Sequence, residues 1–429
     1  MDFRPELSWE FETVGQIESR SVRAVRNHVH HVKEISPYYR ETLAGIDPSD
    51  IKSVQDIANL PTTDKSTLVG NIEKFWAVSP KDVAETVITS GSTGQPLVYF
   101  MTASDLDRLA FNEALSFHAA GVTNHDRAQL LVSLDRMFIA GMAYYRGLTT
   151  LGANTARVGV TSVETIKYYL ELLKPTVLVA VPSFLHKLVG KLQLLGYDLE
   201  NSPVEKIFCI GESIRYQDLS LNGLGEALER SFGARVFSTY GLTELAVAYC
   251  ECEKRAGNHA HPELVYTEIV DENGNPVPEG TPGELVATPL GVEGVPLVRY
   301  RTGDITFKMS GTCECGRNSM RIGPILSRKS QMIKVKGTTL YPTTITSVLD
   351  ELDCLQDYLI ILEGNDALSD QVTIHAVTHP SEVITIADHL RAKARVSFPV
   401  LVSNASTINA HRGDCRKKVK ILDKRNRQQ

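Results

Sequence analysis

The chain has 429 residues and a formal net charge of -6 at pH 7, with 42% hydrophobic and 22% charged residues. This length exceeds what one ordinary core supports, so we expect a globular protein with two or more domains. The net charge argues against nucleic acid and against anionic membranes as partners. No apolar run approaches the length of a membrane span, and the first residues lack the apolar core of a signal peptide, so we expect a cytoplasmic location.

The predicted elements fall into regions of different pattern. Residues 1–80 are predicted to be mostly helical. From about 84 to 240, apolar β-branched runs alternate with amphipathic stretches, which is typical of parallel α/β sheets. From about 264 to 310, short strands with Gly and Pro turns indicate a β-rich subdomain. The sequence thus predicts an α/β fold with a large N-terminal domain over residues 1–327 and a small C-terminal α+β domain over 328–429.

Four elements of the α/β region are predicted from local pattern. Val177–Val181 and Lys206–Ile210 have the composition of buried strands. Ser162–Leu173 and Ser183–Leu195 have the apolar spacing of helices. Their order along the chain predicts that the strands lie side by side and in parallel.

The segment from Thr89 to Pro96 has the composition of a phosphate-binding loop. Glycines let a backbone approach an anion closely, and hydroxyl groups add hydrogen-bond donors. A predicted strand precedes the loop and a predicted helix over Ala103–Gly121 follows it. It is not a Walker A loop, because no Gly-Lys-[Ser/Thr] follows its glycines, and an ordinary flexible turn is the alternative interpretation. The predicted phosphate-binding residues are Ser90, Gly91, Ser92, Thr93 and Gly94.

Two further segments carry groups suited to a nucleotide. The segment Gly211–Ser213 follows a predicted strand and can place backbone, with Glu212 between its ends, against the edge of a planar base. In the second segment, Tyr240 can lie against a base, Thr243 can donate to a phosphate and Glu244 can hold Mg²⁺.

Two more candidates lie further along the chain. Asp304 follows a glycine turn and can accept hydrogen bonds from a ribose diol. Arg328 stands at the predicted change of domain and can bind the sugar or a phosphate. For Glu244 and Asp304, the alternative is an ordinary helix-cap or turn carboxylate.

The seven cysteines are unevenly spaced. Their odd number in a chain without an export signal does not predict a disulfide framework. Cys250 and Cys252 form one close pair in the sequence, and Cys313 and Cys315 form another. This clustering suggests a metal site.

Taken together and in this order, the motifs resemble those of the adenylate-forming superfamily of acyl-CoA synthetases, adenylation domains and luciferases. The resemblance is greatest to the phenylacetate-CoA ligase branch. Ile35-Ser-Pro-Tyr-Tyr-Arg40 and Leu60-Pro-Thr-Thr-Asp-Lys65 look like the N-terminal signatures of that branch. The resemblance covers nearly the whole chain, and several motifs in the expected order carry more weight than any one of them.

The resemblance implies a two-step reaction. A carboxylate attacks the α-phosphorus of ATP to give acyl-AMP and pyrophosphate, and a thiol then attacks the acyl carbon and displaces AMP. Such transfers depend on positioning and charge neutralisation rather than on a covalent nucleophile. The implied contacts are the pyrophosphate end for Ser90–Gly94, the α-phosphate for Thr243, Mg²⁺ for Glu244, the ribose for Asp304 and Arg328, and the adenine for Gly211–Ser213 and Tyr240.

The superfamily also uses a lysine near the C-terminus during adenylation. Counting six residues back from Asp423, as in the phenylacetate-CoA ligase branch, gives Lys417, and the adjacent Lys418 is the alternative. Ser330 stands where the family has its usual hinge aspartate. The resemblance implies that the small C-terminal domain is mobile and carries this lysine into the site for one half-reaction.

A structural zinc site is also implied, because members of the branch show a similar pattern of Cys, Gly-x-His and Cys-x-Cys. Three thiolates and an imidazole make a closed tetrahedral site. Cys250 and His261 are rival ligands, and free thiols on hairpin turns are the alternative. The residues that match the pattern as ligands are Cys252, His259, Cys313 and Cys315.

The acid pocket of the family lies between the strand ends and the helix after the 130s. Its candidate lining here is aromatic with few formal charges, which favours an aryl or arylalkyl acid. For Phe138 and Tyr144, a place in the hydrophobic core is an equal alternative. The candidate lining residues are Phe138, Ala140, Gly141, Tyr144, Tyr145, Val181, Pro182 and Ser238.

The sequence therefore predicts an AMP-forming aryl acid:CoA ligase that uses ATP and Mg²⁺ and holds a structural Zn²⁺. An aryl-AMP ligase that delivers the acyl group to an amine or a carrier protein is the alternative within the enzyme class. A nucleotide-binding or zinc-braced scaffold without catalysis is the alternative outside it. The expected partners are a small aromatic carboxylic acid and coenzyme A, and a homodimer is left open.

Overall fold

The computed structural model describes residues 4–5, 8–89, 97–335, 338–352, 354–366, 369–394, 397–412 and 419–425. The chain forms two compact units, one of Met1–Ser220 with Gly225–Pro324 and one of Leu221–Leu224 with Ile325–Gln429. The division into domains of 1–327 and 328–429 stays a prediction.

The α-helices of the described residues are α1 (Val14–Ile35), α2 (Pro37–Thr42), α3 (Val54–Ala58), α4 (Lys65–Phe75), α5 (Ala103–Ala119), α6 (Ile139–Leu151), α7 (Val163–Leu173), α8 (Pro182–Leu194), α9 (Gly223–Phe232), α10 (Pro342–Asp350), α11 (Val383–Ala394) and α12 (Ala405–Arg412). Single turns of 3-10 helix occur at Trp9–Phe11, Pro48–Asp50, Pro80–Asp82, Thr243–Leu245, Lys329–Gln331 and Pro380–Glu382. Within the described ranges, no helix combines the length and the apolar character needed to cross a lipid bilayer.

The strands of the first unit are β1 (Thr63–Asp64), β2 (Glu85–Ile88), β3 (Val98–Met101), β4 (Arg127–Leu131), β5 (Asn154–Arg157), β6 (Val177–Ala180), β7 (Lys206–Cys209), β8 (Arg235–Leu242), β9 (Val247–Glu251), β10 (Asn258–His259), β11 (Val265–Val270), β12 (Gly283–Pro289), β13 (Tyr300–Thr306), β14 (Lys308–Met309) and β15 (Arg321–Ile322). Those of the second unit are β16 (Ser327–Arg328), β17 (Ile333–Val335), β18 (Thr338–Leu340), β19 (Asp357–Asp366), β20 (Ser369–Val377), β21 (Val400–Val402) and β22 (Ile421–Asp423).

A nine-stranded sheet forms the centre of the first unit, in the order β14-β15-β10-β9-β8-β7-β6-β4-β5. The five strands from β5 to β8 are parallel, whereas β9, β10, β15 and β14 continue the sheet with antiparallel pairing. The helices α6, α7, α8 and α9 follow β4, β5, β6 and β7 along the chain. This arrangement confirms the α/β prediction and brings the carboxyl ends of the parallel strands to one edge.

The four locally predicted elements of this region are confirmed. The predicted strands appear as β6 and β7, and the predicted helices appear as α7 and α8. Ser162 caps α7 by accepting the backbone N–H of Thr165 at 3.2 Å. The local sequence is sufficient to predict these elements because a buried parallel strand needs a continuous apolar run and a helix needs a cap.

A second sheet in the order β1-β13-β12-β11 confirms the β-rich subdomain. Its inner strand β12 is buried along its whole length. The strand β13 carries Asp304 and pairs with both β1 and β12. The sheet therefore holds one candidate ribose ligand on a fixed strand.

The loop from Thr89 to Pro96 connects the antiparallel strands β2 and β3. Thr89 and Leu97 close the base of the loop, because each donates its backbone N–H to an oxygen of the other, at 3.0 Å in both cases. The helix predicted over Ala103–Gly121 is confirmed as α5 (Ala103–Ala119), but the strand β3, which was not predicted, lies between the loop and that helix. The difference arises because four residues with β propensity complete the hairpin before Thr102 caps the helix.

The second unit contains a four-stranded sheet in the order β21-β20-β19-β22 and a separate hairpin of β17 and β18. Its core includes Ile360 and Leu362 of β19, Ile374 of β20 and Ile386 of α11. The α+β character predicted for the C-terminal region is thus present among the described residues.

Candidate active site and metal centre

Most of the predicted nucleotide and acid residues lie at or just beyond the carboxyl ends of β4, β6, β7 and β8. The register of β7 on β8 pairs Cys209 with Ser238, so the segment after Cys209 runs beside Tyr240. We call this group the strand-end site, and it consists of Phe138, Tyr144, Val181, Pro182, Gly211–Ser213, Ser238–Glu244 and Asp304. Parallel α/β sheets bind their ligands at this edge because the loops of successive strands converge there.

Some predicted residues cannot be placed in this group. The phosphate-loop residues Ser90–Gly94 and the lysine candidate Lys417 lie outside the described residues. Arg328 lies in β16, which belongs to the second unit. Their roles stay predictions.

Tyr240 and Asp304 are joined directly. The Tyr240 hydroxyl donates to Asp304 Oδ2 at 2.8 Å, although the two residues lie on different sheets. Asp304 is almost completely buried, and its backbone N–H donates to Thr302 Oγ1 at 3.1 Å. Burial and the Asp304 carboxylate together raise the pKa of Tyr240 well above its usual value. The contact therefore fixes the predicted ribose ligand beside the predicted adenine-binding ring.

Glu244 is buried next to the hairpin that carries the predicted phosphate loop. It lies in the 3-10 turn Thr243–Leu245, after which Ala246 adopts a left-handed conformation with φ 47°. The Tyr99 side chain of β3 is buried, and its hydroxyl has no hydrogen-bond partner in the part of the chain that the structure describes. Burial and the negative charge of Glu244 raise the pKa of Tyr99. Tyr99 thus places a neutral hydroxyl near Glu244, and no sequence signal distinguishes it from other strand tyrosines.

The Glu212 side chain has a structural contact. Its carboxylate accepts the backbone N–H of Ser183 at 3.0 Å and the Ser183 hydroxyl at 2.9 Å. Ser183 lies in the first turn of α8, so Glu212 caps that helix. Gly211 adopts a positive φ of 74°, which lets the chain turn sharply after β7. Because the Glu212 carboxylate is used on Ser183, a contact of Glu212 with adenine would be made by its backbone.

A buried ion pair supports the strand end of β8. Arg215 donates through Nε and Nη2 to both carboxylate oxygens of Glu251, at 2.7 and 2.9 Å. Glu251 also accepts the backbone N–H of Ser238 at 2.9 Å. Neither residue is predicted from the sequence, because nothing in their local sequence links positions 36 residues apart. The pair ties the loop after β7 to the strand that carries Tyr240.

The predicted acid-pocket residues lie around the first turns of α6 and α8. Phe138 and Val181 are the residues that precede these helices, and Pro182 begins α8. A Cβ added to Gly141 would lie 2.3 Å from the Ser133 carbonyl oxygen, so only glycine lets this loop contact α6. Ala140 and Val181 are partly buried against the core of the central sheet. Tyr145 packs against the same core, and the Arg157 guanidinium lies over the Tyr145 ring, 4.7 Å from the ring centroid.

The residues Cys252, His259, Cys313 and Cys315, which we call the Cys/His cluster, come together as predicted. Their candidate ligand atoms all lie within 4.8 Å of one another. The Cys252 and Cys313 sulfurs are 3.7 Å apart, and Cys315 Sγ is 3.6 Å from His259 Nε2. A tetrahedron with Zn–S bonds of about 2.3 Å and a Zn–N bond of about 2.0 Å has edges of about 3.8 and 3.5 Å. The two measured distances therefore match the edges of a zinc tetrahedron.

The rival ligands Cys250 and His261 are not part of this cluster. His261 Nδ1 donates to Glu10 Oε1 at 3.0 Å, and His261 Nε2 lies 2.9 Å from the Ser116 hydroxyl. Both ring nitrogens of His261 are therefore used elsewhere. Cys250 is buried in the core of the central sheet together with Tyr144.

Buried hydrogen bonds orient the His259 ring. His259 Nδ1 lies 3.0 Å from the Ser319 hydroxyl, and that hydroxyl donates to Glu10 Oε1 at 3.4 Å. The serine proton is used on Glu10, so His259 Nδ1 donates to the Ser319 hydroxyl and Nε2 faces the cluster. Burial raises the pKa of Glu10, but His261 and Arg317 outweigh it and lower that pKa to about 2. Glu10 is not predicted from the sequence, because it lies far from the cysteines in the chain.

The cluster also favours thiolates. The Cys252 thiol, which donates to Cys315, and His259 lower the pKa of Cys315, whereas the pKa of Cys252 is raised by the same contact. The contact thus favours the thiolate form of Cys315. The His259 hydrogen bond likewise lowers the pKa of Cys313. Thiolates are the form in which cysteine binds a metal.

Comparisons with known proteins agree with this geometry. The family model of AMP-binding enzymes matches residues 17–292. Phenylacetate-coenzyme A ligase of Thermus thermophilus is 30% identical over 413 residues, which cover 91% of this chain and 89% of that protein. The enzyme of the same name from Escherichia coli (strain K12) is 26% identical over 97% of both chains.

Solved structures show the same fold. A crystal structure of 2-hydroxyisobutyryl-CoA ligase in the postadenylation state, in complex with R3-HIB-AMP, has a TM-score of 0.85 at 19% identity. The match covers 96% of this chain and 91% of that one. With a matching family model over more than half of its length and close relatives along most of it, this chain belongs to the AMP-binding enzyme family, in its phenylacetate-CoA ligase-like branch.

Proposed function

We propose that this protein activates an aryl or arylalkyl carboxylic acid with ATP and transfers the acyl group to coenzyme A. In the first step the carboxylate oxygen bonds to the α-phosphorus of ATP, and pyrophosphate leaves. In the second step the thiol sulfur of coenzyme A bonds to the acyl carbon of acyl-AMP, and AMP leaves with the bonding electrons while the thiol proton passes to solvent. The protein is thus an AMP-forming acid–thiol ligase.

The observation that carries this proposal is the contact between Tyr240 and Asp304 at the end of β8, the strand that Glu244 follows in the next turn. A ring for the base, a buried acceptor for the ribose hydroxyls and a carboxylate for a cation occur together at the edge where parallel sheets bind ligands. In a member of the AMP-binding enzyme family, this combination supports an adenylate site.

Each residue of the strand-end site has a proposed part. Asp304, held by Tyr240, accepts from the ribose, and Tyr240 lies against the adenine. Thr243 donates to the α-phosphate, and Glu244 would hold Mg²⁺, which would neutralise phosphate charge when bound. We assign the pyrophosphate end to Ser90–Gly94, and the cation that bridges the carboxylate and the α-phosphate to Lys417, with Arg328 as a second ribose or phosphate ligand.

Coenzyme A is the proposed acceptor because the relatives with the greatest coverage are named as coenzyme A ligases. An amine or carrier-protein acceptor is therefore less favoured than it is from sequence alone. The test follows pyrophosphate release from ATP with a panel of aryl and arylalkyl acids, and then thioester formation on addition of coenzyme A. Acid-dependent pyrophosphate release followed by a CoA thioester is expected. Acyl-AMP that coenzyme A does not consume would contradict the choice of acceptor.

A matched pair of variants tests the site itself. Glu244→Gln removes the proposed cation ligand with little change of size, so adenylation should fall about 100-fold or more. Glu171→Gln removes an exposed carboxylate that pairs with Lys167 on α7, and its activity should match wild type. Equal activity of the two variants would exclude Glu244 from the site.

We also propose that the Cys/His cluster binds one structural Zn²⁺. Four protein donors at tetrahedral spacing leave no position for a substrate, so the ion has no catalytic step. Its role is to tie the segment after β9 to the turn at Cys313, close to the strand that leads to Glu244. Metal analysis of the purified protein should find zinc, and its absence after expression with added zinc would contradict the assignment.

A further inference from the structure

Glu113 is a buried carboxyl group that the proposed reaction does not use. It lies on α5, only 3% of its surface is exposed, and its oxygens form no hydrogen bond with any described residue. Burial without a partner is unusual, because a buried polar group that loses water normally finds a protein partner. An unpartnered carboxyl of this kind suggests a place for a ligand group.

Its position is beneath the strand-end site. The neighbouring Asn112 amide bonds to both backbone groups of Ala248, at 3.2 and 2.8 Å, and Ala248 pairs with Gly241 at the end of β8. On the other side, a Cβ added to Gly147 of α6 would lie 2.2 Å from the Cβ of Glu113. Glu113 is therefore held between α6 and the end of β8, where the predicted acid pocket lies.

Polar groups gather around it. Tyr144, one turn before Gly147 on α6, has its hydroxyl 3.5 Å from Thr239 Oγ1, and Thr239 pairs with Cys250. Burial and then the nearby Glu113 raise the pKa values of both Tyr144 and Cys250, so the carboxyl lies near both side chains. Thr239 directly precedes Tyr240 in β8. A carboxyl, a phenol and an alcohol thus lie near one another beside a core of aliphatic and aromatic side chains.

The chemistry of the group decides what it can bind. Burial raises the pKa of Glu113 to about 8, so the carboxyl is mostly neutral at pH 7. A neutral carboxyl has one O–H donor and a carbonyl acceptor, which match a hydroxyl or an uncharged amino group. A plain aromatic ring would leave it unpartnered, whereas a ring with such a substituent would satisfy it.

We propose that Glu113, with Tyr144 and Thr239, forms a polar end of the acid pocket that binds a ring hydroxyl or amino group of the aryl acid. This inference rests on the proposed function, because it names the class of acid that the ligase activates. Tyr144 is one of the lining residues expected from the sequence, and Glu113 adds the specificity-determining group to it.

The wild-type protein gives the first test. Pyrophosphate release is measured with benzoate and phenylacetate and with the ring-hydroxylated and ring-aminated isomers of each. At least one substituted isomer should exceed its parent in kcat/KM by about tenfold or more, since the parent leaves a buried polar group unpaired. A wild-type enzyme that prefers the parent acid in every pair overturns the proposal.

Variants then assign the preference to Glu113. Glu113→Gln keeps a donor and an acceptor, so the ratio of kcat/KM between substituted and parent acid should stay within about threefold of wild type. Glu113→Leu removes both, and that ratio should fall about tenfold or more. Asp107→Leu on the same helix is the control, because the Asp107 side chain is 79% exposed, and its ratio should equal that of wild type.

The outcomes separate this inference from the proposed function. If no acid supports pyrophosphate release, the proposed function fails and this inference fails with it. If acids are activated but Glu113→Leu and wild type show the same ratio, only the role of Glu113 is wrong. The wild-type comparison decides the substrate class even if Glu113→Leu does not fold.

Discussion

The Cys/His cluster and the strand-end site are two polar centres of the same compact unit, and they are built in opposite ways. In the cluster, each candidate ligand faces the other three, and the His259 ring is oriented by Ser319 and Glu10. Near the strand-end site, the buried Tyr99 hydroxyl has no hydrogen-bond partner in the described ranges, and burial raises the pKa of Glu113 on α5. The difference teaches that a closed set of donors suits a structural ion, whereas the groups near the strand-end site keep hydrogen-bonding capacity for a ligand.

The largest expected effect comes from removing one ligand of the Cys/His cluster. Cys313→Ser removes one of four ligands, and we expect loss of bound zinc and a fall in the free energy of unfolding of roughly 5 kcal/mol, because metal binding contributes directly to folding. Metal analysis and urea unfolding measure both quantities. Cys354→Ser is the control, since Cys354 is a half-buried thiol of the second unit. Undiminished zinc content in Cys313→Ser would contradict the ligand set.

The next effect concerns the ion pair that supports the strand-end site. Glu251→Leu leaves Arg215 charged, buried and without its bidentate partner, so the free energy of unfolding should fall by roughly 3–5 kcal/mol. Adding Arg215→Met should recover much of that loss, because the unpaired charge is gone. Urea unfolding of the single and double variants gives the comparison. A double variant no more stable than the single one would mean that the ion pair itself, rather than the unpaired charge, matters.

The third prediction concerns activity alone. Lys417→Ala should lower adenylation by roughly 100- to 1,000-fold while thioester formation from supplied acyl-AMP changes little, because the lysine is assigned to the first half-reaction only. Pyrophosphate release and thioester formation are measured separately. Lys418→Ala is the matched control. A loss of adenylation in Lys418→Ala, with wild-type rates in Lys417→Ala, would move the assignment to Lys418.

The smallest expected effect is on the free energy of unfolding and concerns the buried carboxyl group of Glu113. The pKa of Glu113 is raised by burial to about 8, so its contribution to stability is complete below its unfolded pKa of 4.5 and is lost as the pH rises through 8. At pH 7 the loss is roughly 3 kcal/mol. Glu113→Gln cannot ionise and should gain stability relative to wild type between pH 5 and pH 8.

Urea unfolding at the two pH values, with Asp107→Asn as control, measures this gain. The control removes an exposed carboxyl from the same helix, so its difference from wild type should hardly change with pH. If the difference between Glu113→Gln and wild type is also constant, Glu113 is ionised in the folded protein and its environment is more polar than its burial indicates.

The local sequence was sufficient to predict many helices and strands, and to identify the residue types of the Cys/His cluster. Apolar runs identified β6 and β7, and the Ser162 cap marked the start of α7. The types and order of Cys252, His259, Cys313 and Cys315, with their resemblance to a known pattern, identified the cluster that the fold brings together. Such predictions succeed because a strand, a cap or a metal ligand is defined by a few neighbouring residues.

Only the tertiary structure decided which candidates act together. It excluded Cys250 and His261 from the cluster, turned Glu212 into the cap of α8 and joined Tyr240 to Asp304. It also revealed Glu10, Glu251 and Glu113, whose surroundings come from distant parts of the chain. The physical reason is that desolvation and hydrogen bonding in a core depend on which elements pack against a residue, and no local pattern records that.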